Sequence, residues 1–585
     1  MILQALYEYY QRKAADPESG IAPQGFEWKE IPFVIVVSRR GSFVALEDTR
    51  IGEGKHLRAK AFLVPQGVKR AGKTVAANLL WDNLEYAIGA DPRGRDDVEQ
   101  RALSFRQQIV EELPSRSEDA RVDAILHFLE GDPVSAISSG AGELWQEAVR
   151  ANANVTFRID GDDFSVLSDA FKQHIAEGRT VVSGGDFCLV SGGVGAIAAT
   201  HPSIKGVKDA QSSGGAIVSF NESAYTSFGK RQNYNAPVSA AGTFAYTTAL
   251  NHLLARDSNN KVQVGDATTV FWSERSNSLE TSFLDLFAFP PKDDPDRDVA
   301  AVRSLYRSLE TGALQATSET RFYVLGLSPN AARIAIRFWL VGTVQEFATR
   351  LRQHFDDLEI VRSPKDQGRY SLFWLLLELA TERKVDNVPP NLSGALVRAV
   401  LTGTPYPTTL MHQTVRRIRA EQTVSRMRAA ILKAYLNRLQ RSYPNHEEEI
   451  TVSLDPENKN VGYRLGRLFA LLEKIQEDAS PGLNATIRDR YYGAASANPV
   501  TVFPQLLKLK NHHLKKIDKP AWARAHERRL TDVFAGLPTD MPTHLRMEDQ
   551  ARFAIGYYHQ RQALYTKASA ENSTNDRKNT EKEVS

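Results

Sequence analysis

Residues 205–254 read KGVKDAQSSGGAIVSFNESAYTSFGKRQNYNAPVSAAGTFAYTTALNHLL. The first part is a basic loop rich in glycine and serine, and the apolar run 216–220 predicts a short strand. A second loop, rich in amides and cations, follows this strand. The spacing of Tyr246, Leu250 and Leu253 then predicts a helix. The stretch therefore predicts two polar loops held between a strand and a helix.

The second loop combines three chemical groups that bind nucleic acids. Cations contact phosphates, amides contact base edges, and the rings of Tyr225, Phe228 and Tyr234 offer stacking surfaces. A hydrogen-bonded surface loop without a ligand explains the same composition, so both interpretations stay open. The candidate binding residues in the two loops are Lys205, Lys208, Asn221, Lys230, Arg231, Gln232, Asn233 and Asn235.

Upstream, residues 67–74 read GVKRAGKT and match the P-loop pattern GxxxxGK[ST] between a predicted strand and a helix predicted over 76–89. In a nucleotide-binding protein Lys73 would contact phosphates and Thr74 a magnesium ion. No later strand ends in a clear Walker B aspartate, and Pro65 interrupts the approach to the loop. The same glycines and cations suit a DNA backbone or an ordinary exposed turn, so three interpretations stay open. The candidate DNA-binding residues here are Lys69, Arg70, Lys73 and Asn78.

Two basic runs lie in the C-terminal half. The segment 410–441 is predicted as one long helix in which eight cations face only one acid, Glu421. Solvated helix faces usually mix both signs, so this excess favours an anionic neighbour over a bare surface. A second run covers 508–529. The candidate nucleic-acid contacts in the two runs are Arg416, Arg417, Arg419, Arg426, Arg428, Lys508, Lys510, Lys515 and Lys516.

Hydrophobic patterning predicts an α+β fold, with a mixed α/β region over 1–345 followed by helices. The polar stretch 442–460 divides the helical part into a region over 346–460 and a C-terminal bundle over 461–567. Residues 568–585 contain almost no large apolar side chains, which predicts a disordered tail. Inside the first region, PFVIVVSRRGSFVAL at 32–46 predicts a hairpin with its turn at Arg39 to Ser42. Residues 91–150 are predicted to be helical, and residues 331–339 are predicted to form a helix.

Composition excludes several classes of protein. A net charge of +3 does not by itself indicate a polyanionic partner. The single cysteine, Cys188, rules out internal disulfides and fits a reducing cytoplasm. No apolar run reaches the ~18–20 residues of a membrane span, and the N-terminus lacks signal-peptide features. His512 and His513 are adjacent rather than four apart, and no nucleophile set emerges. We expect a cytoplasmic protein that binds without catalysis and holds no cofactor or metal.

Three stretches carry a resemblance to a known family: VSFNESAYTSFGKRQNYNAPVS at 218–239, YTTALNHLL at 246–254 and VLGLSPNAARIAIRFW at 324–339. They resemble the large subunit of the type I-C CRISPR interference (Cascade) complex. The resemblance extends from MILQALYEYY at the start to YRLGRLFALLEKIQ at 463–476, so it covers nearly the whole chain.

The resemblance implies a subunit of a crRNA-guided complex that recognises the protospacer-adjacent motif (PAM) on duplex DNA. Such a subunit assists unwinding, holds the displaced strand along its helical part and recruits a separate helicase–nuclease; guide pairing reads the target sequence. The implied partners are crRNA, target double-stranded DNA, the displaced single strand, and the backbone and small subunits. Residues 65–80 and 221–235 would approach the PAM duplex together.

The family resemblance also implies an internal translation start. It would give a small helical subunit from about Val461, with Met427 as an earlier alternative. The other functions that stay open are a P-loop nucleotide-binding protein and a scaffold subunit that does not contact DNA.

Overall fold

The structure of the protein is a computed structural model. It describes residues 1–580 except 53–56, 69, 71–73, 92, 114–119, 163–171, 174, 176–184, 288–296, 312–318, 364–365, 367–369, 385–386 and 445–447, and it describes the side chains up to residue 565, except those of residues 298, 299 and 390. The chain forms two compact units. The first comprises Met1–Asp257 with Pro329–Ala335, and the second comprises Ser258–Ser328 with Ile336–Ser585. The first unit thus reaches Ala335 but leaves out residues 258–328, which belong to the second unit. The division of the chain into the ranges 1–345, 346–460 and 461–567 stays a prediction.

A four-stranded sheet forms the centre of the first unit, in the order β3-β2-β6-β5. The central strand β2 has the sequence FVIVV with every residue buried, because it is covered on both faces. It pairs antiparallel with β3, as the predicted hairpin requires, and parallel with β6. A separate pair joins β1 and β4. The strands are β1 (Phe26–Glu30), β2 (Phe33–Val37), β3 (Phe43–Asp48), β4 (Ala61–Pro65), β5 (Trp81–Asn83) and β6 (Asn154–Ile159).

Helices pack on this sheet, and the helical character predicted for 91–150 is confirmed. Phe105 lies 6.1 Å from Phe157 between ring centres in the shared core. The helix predicted over 76–89 is mostly wrong, because Trp81 begins a strand that pairs with β6 and only four residues after it are helical. The helices are α1 (Ile2–Ala14), α2 (Leu84–Ala87), α3 (Val98–Glu112), α4 (Ala120–Glu130), α5 (Pro133–Gly140) and α6 (Gly142–Ala151).

The loops at 205–239 lead into helix α7 (Ala240–Leu253), as predicted. Ser239 caps this helix by accepting a hydrogen bond from Gly242 N at 3.1 Å. The strand predicted over 216–220 is reduced to a single parallel bridge between Ala216 and Arg333. Two short strands, β7 (Asp186–Phe187) and β8 (Val194–Gly195), complete the first unit.

The second unit begins with a sheet in the order β12-β11-β10-β9. The helix predicted over 331–339 is wrong: residues 331 and 332 form a turn, and residues 333–339 belong to β12. Ala331 has a φ of 52°, which turns the chain back, and the alternating β-branched and aromatic side chains suit a strand. Trp339 stacks on Tyr323 of β11 at 5.4 Å. The strands are β9 (Lys261–Val264), β10 (Ala267–Ser273), β11 (Arg321–Asn330) and β12 (Arg333–Thr343).

Helices make up the rest of the second unit, which confirms the α+β class. The predicted long helix over 410–441 is two helices, because Gln422 has a φ of 51° and Ser425 caps the second one. The last helix continues to Thr580, beyond the start of the predicted tail at residue 568. Residues 568–580 contain no glycine or proline that would end a helix. The helices are α8 (Ser278–Phe287), α9 (Arg297–Glu310), α10 (Val344–Asp357), α11 (Leu372–Leu379), α12 (Pro390–Thr402), α13 (Thr408–Glu421), α14 (Arg426–Ser442), α15 (Val461–Ala479), α16 (Ile487–Ala497), α17 (Pro499–Lys515), α18 (Pro520–Phe534) and α19 (Met547–Thr580).

Helices α15 and α19 approach each other backbone to backbone. A Cβ atom at Gly466 would overlap the carbonyl oxygen of Phe553, and one at Gly556 would overlap that of Tyr463. Glycine inside a helix costs about 1 kcal/mol relative to alanine. The two glycines therefore do not favour helix formation, and they allow the close approach of the two helix backbones. In the described part of the chain, no helix is both long enough and apolar enough to cross a membrane.

Candidate nucleic-acid interface

The tip of the loop formed by residues 221–235 is a tight turn. Lys230 N donates to Ser227 O at 2.9 Å, and the two residues between them, Phe228 and Gly229, have φ angles of 50° and 71°. Two successive positive φ angles are typical of a type I′ turn, which glycine adopts freely and phenylalanine only at a cost in free energy. The Phe228 side chain is 98% exposed. The turn therefore presents an aromatic ring to solvent beside Lys230.

Asn235 fixes the shape of this turn from inside the loop. Its Nδ2 donates to the carbonyl oxygens of Lys230 at 3.0 Å and Gln232 at 2.8 Å, and its Oδ1 accepts from Ser227 N at 2.9 Å. The three bonds use both hydrogens and the oxygen of the amide. Asn235, predicted as a base reader, is therefore placed as an internal support of the loop in this conformation.

The remaining candidates in this loop differ in exposure. Lys230, Arg231 and Gln232 are exposed, whereas Asn233 is buried. Asn221 is exposed but accepts a hydrogen bond from Arg333 Nη2 at 2.7 Å. Arg333 also lies 4.9 Å above the ring of Tyr225. Lys205 and Lys208 in the preceding loop are exposed as well.

Two backbone amides at the start of the Gly67 loop are already occupied by side chains of the protein. Gly67 N donates to Glu27 Oε1 at 3.0 Å, and Val68 N donates to Asn78 Oδ1 at 2.9 Å. A phosphate-binding loop needs free amides and a helix N-terminus behind it. The described residues 74–83 contain coil and strand β5, so the helix that the P-loop pattern requires does not follow there. Lys69 and Lys73 lie outside the described residues.

Arg70 and Asn78 stabilise this loop rather than extend from it. The Arg70 guanidinium pairs with Asp82, donates from Nε to Ala76 O at 2.7 Å, and lies 3.8 Å from the centre of the Tyr86 ring. Asn78 is buried, and its N donates to Asp82 Oδ2 at 2.9 Å. Burial raises the pKa of Asp82, although Arg70 opposes the shift. The prediction that both residues contact DNA directly therefore has no support in this conformation.

Strand β1 connects the Gly67 loop to the first basic loop. The second carboxylate oxygen of Glu27 lies 4.0 Å from Lys205 Nζ. Burial, and then the charge of Lys205, lowers the pKa of Lys29 on the same strand. The Glu27 carboxylate thus contacts both Gly67 N and Lys205 Nζ. The predicted meeting of 65–80 with 221–235 on one duplex stays a prediction.

The basic run of helices α13 and α14 is neutralised in part by acids of the protein itself. Arg428 is only 2% exposed and pairs with Glu378 at 3.2 Å and with Glu421. Arg438 pairs with Asp357 at 3.2 Å. For these two arginines the anionic neighbour is the chain itself, because buried charges need partners; the predicted contact of the run with nucleic acid stays a prediction. Of the other candidates, Arg416 is exposed, Arg417 pairs with Glu421, Arg419 is half-buried, and Arg426 is half-buried and reaches Tyr370 Oη at 3.4 Å.

The second basic run has a different environment. Lys508, Lys515 and Lys516 at helix α17 are exposed and Lys510 is half-buried. The exposed ring of Trp522 on helix α18 lies 4.7 Å from Lys519 Nζ. This surface, unlike that of α13 and α14, keeps the cations and an aromatic ring accessible to a ligand.

Sequence reasoning missed two features of these sites. Two of the acids that pair with the basic run, Asp357 and Glu378, lie on other helices. Only the presence of Glu378 within the apolar run LFWLLLEL signals a buried cation partner in the sequence. The role of Arg333 behind Asn221 has no signal in the sequence. Among the described residues, no three or more histidine, cysteine or acidic side chains are grouped so as to hold a metal ion. The absence of catalysis stays a prediction.

These features define an α+β protein with a rigid, exposed loop of cations, an amide and aromatic rings, and with a separate basic helical surface. A family model described as CRISPR-associated protein (Cas_Csd1) matches residues 6–565, and the chain belongs to this family. A comparison with curated proteins finds no significant match.

Proposed function

We propose that the protein is the large subunit of a crRNA-guided type I-C surveillance complex, which recognises the PAM on target duplex DNA and assists its unwinding. The CRISPR-associated family supports the setting. The observation that carries the proposal is the 221–235 loop, whose exposed Lys230, Arg231 and Gln232 are held in place by the internal hydrogen bonds of Asn235.

The chemistry of the loop assigns a task to each group. Lys230 and Arg231 neutralise phosphates and position the duplex, because such contacts carry affinity but little sequence information. The Gln232 amide is able to donate to and accept from a base edge. The exposed ring of Phe228 offers a face for stacking on a base or sugar.

The displaced strand is assigned to the surface of helices α17 and α18. Lys508, Lys515 and Lys516 are accessible there, whereas half of the cations of α13 and α14 pair with carboxylates of the protein. Exposed cations with the Trp522 ring nearby suit a single strand, which binds by backbone charge and stacking. crRNA, the backbone and small subunits and a helicase–nuclease complete the proposed set of partners.

The test is a charge reversal in the assembled complex. Lys230→Glu/Arg231→Glu is compared with Arg40→Glu/Arg256→Glu, which changes the net charge equally at exposed positions of the same unit. The first variant is expected to weaken duplex binding. It is also expected to make the negative slope of log affinity against log salt shallower by about 2, one for each phosphate contact that is lost. The control variant is expected to keep the wild-type slope. Equal behaviour of the two variants would favour a scaffold subunit without DNA contact.

A further inference from the structure

A pocket of about 110 Å³ lies behind the exposed tip of the 221–235 loop. Its walls include His201, Phe220, Asn221, Gln232 and Asn233. No lysine, arginine or carboxylate is among its lining residues, all of which are described. A phosphate or a metal ion would find no compensating charge there. The pocket is therefore suited to a neutral ligand with polar edges.

Asn233 supplies an unused acceptor to this pocket. The residue is 2% exposed, and its backbone N donates to Ala199 O at 3.4 Å. In the described part of the chain no donor reaches its Oδ1. Buried polar atoms are nearly always hydrogen-bonded, so an unpaired acceptor on a residue that lines a pocket indicates a missing N–H or O–H group.

Other residues that line the pocket are also held in defined positions by the protein. Gln232 lines the pocket with a φ of 47°, and strained backbone of this kind is concentrated at binding sites. The Asn221 amide lies in the same wall and is oriented by its hydrogen bond from Arg333. His201 is fixed through Nδ1, which lies 2.6 Å from the hydroxyl of Tyr246. Carboxamides and an aromatic ring, Phe220, thus surround one space.

We propose that this pocket binds a single nucleobase extruded from the target DNA; the inference rests on the proposed function. A nucleobase is neutral and flat, and its edge carries the N–H groups that Asn233 Oδ1 lacks. Proteins that extrude a base read its edge by hydrogen bonds and hold its face by stacking. Lys230 and Arg231, one to three residues from the pocket-lining amides, contact the phosphates beside the extruded base. A base held there cannot re-pair, which keeps a newly opened duplex open.

The test is a thermodynamic cycle on the assembled complex. Duplex targets with one abasic position each, scanned through the PAM and the first paired bases on both strands, are titrated against wild type and Asn233→Ala. At one position the missing base is expected to weaken binding by wild type about tenfold. The same lesion is expected to leave binding by Asn233→Ala unchanged, because the pocket no longer holds the base.

Two further variants keep this test interpretable. Gln232→Ala changes an exposed side chain and reports on the pocket if Asn233→Ala fails to assemble. Gln211→Ala removes an exposed amide of the same unit outside the pocket, and it is expected to behave like wild type. The abasic scan is repeated with lesions in the guide RNA, where no coupling to Asn233 is expected.

The results separate this inference from the proposed function. If no DNA position couples to Asn233 or Gln232, or if coupling appears only with guide lesions, the base pocket is refuted. The proposed function survives that result as long as Lys230→Glu/Arg231→Glu still weakens duplex binding. If charge reversal also leaves binding unchanged, both proposals fail.

Discussion

Replacement of Gly466 by alanine tests the backbone contact between helices α15 and α19. The added Cβ would overlap the Phe553 oxygen and lie 2.8 Å from its carbonyl carbon, 0.6 Å short of the 3.4 Å of ordinary contact. Tyr557 N would be 2.9 Å away, so backbone rather than a flexible side chain has to move. Such overpacking costs about 3 kcal/mol. Alanine recovers about 1 kcal/mol of helix propensity, which leaves a net loss of about 2 kcal/mol.

Gly493→Ala is the matched control, because Gly493 lies inside helix α16 and a Cβ there meets no atom within 4 Å. It is expected to raise stability by about 0.5–1 kcal/mol through helix propensity alone. Both variants are unfolded in denaturant and followed by tryptophan fluorescence and circular dichroism, since agreement of the two probes is needed for a two-state analysis. If Gly466→Ala is as stable as Gly493→Ala, the close approach of the helices is refuted.

Three other predictions concern the buried charges, the loop and pH. Glu378→Ala leaves Arg428 without its buried carboxylate partner and with only the partly exposed Glu421, and it is expected to lower the free energy of unfolding by about 3 kcal/mol. Replacing both Glu378 and Arg428 by apolar residues should recover most of this loss, and a loss below about 1 kcal/mol for Glu378→Ala would contradict the buried pair. Asparagine adopts a positive φ more easily than phenylalanine, so Phe228→Asn is expected to keep stability or raise it by up to about 1 kcal/mol. The same variant is expected to weaken duplex binding by the complex. Unchanged binding would show that the Phe228 ring does not contact DNA. Burial lowers the pKa of His354 and of His559 to about 3. Because the unfolded chain binds these protons near pH 6.5, stability is expected to fall by about 1.4 kcal/mol per pH unit and per histidine as pH drops from 6.5 towards 3. Unfolding free energies that are equal at pH 7 and pH 5 would contradict the two shifts.

Local patterns were sufficient to predict much of the fold. The hairpin around the turn at 39–42 and the helical character of residues 91–150 each depend on neighbours in the chain, and both predictions are confirmed in the described residues. The apolar run of β12 fits either a strand or a short helix, and only pairing with β11 decides between them. Residues 81–83 became a strand for the same reason, because β6 offers them an edge.

The charge pattern was a weaker guide to the site than the turn chemistry. Arg428 reaches Glu378, 50 residues earlier, and Arg438 reaches Asp357, 81 residues earlier, so a count along one helix cannot register these partners. The exposed cations of the 221–235 loop were predictable, because glycine and amides around Lys230 already indicate a turn. Which amides face outwards was not, since that depends on the three internal bonds of Asn235.

The hydrogen bonds of Asn235 also govern how fast and how selectively the loop is able to work. A segment that has its final shape before it meets a partner loses little conformational entropy on association. Its encounter rate then depends on ionic strength and diffusion rather than on a folding step. Because one residue supports the loop and its neighbours make the proposed contacts, substitutions at positions 230–232 are expected to change the proposed sequence preference without loss of the loop conformation.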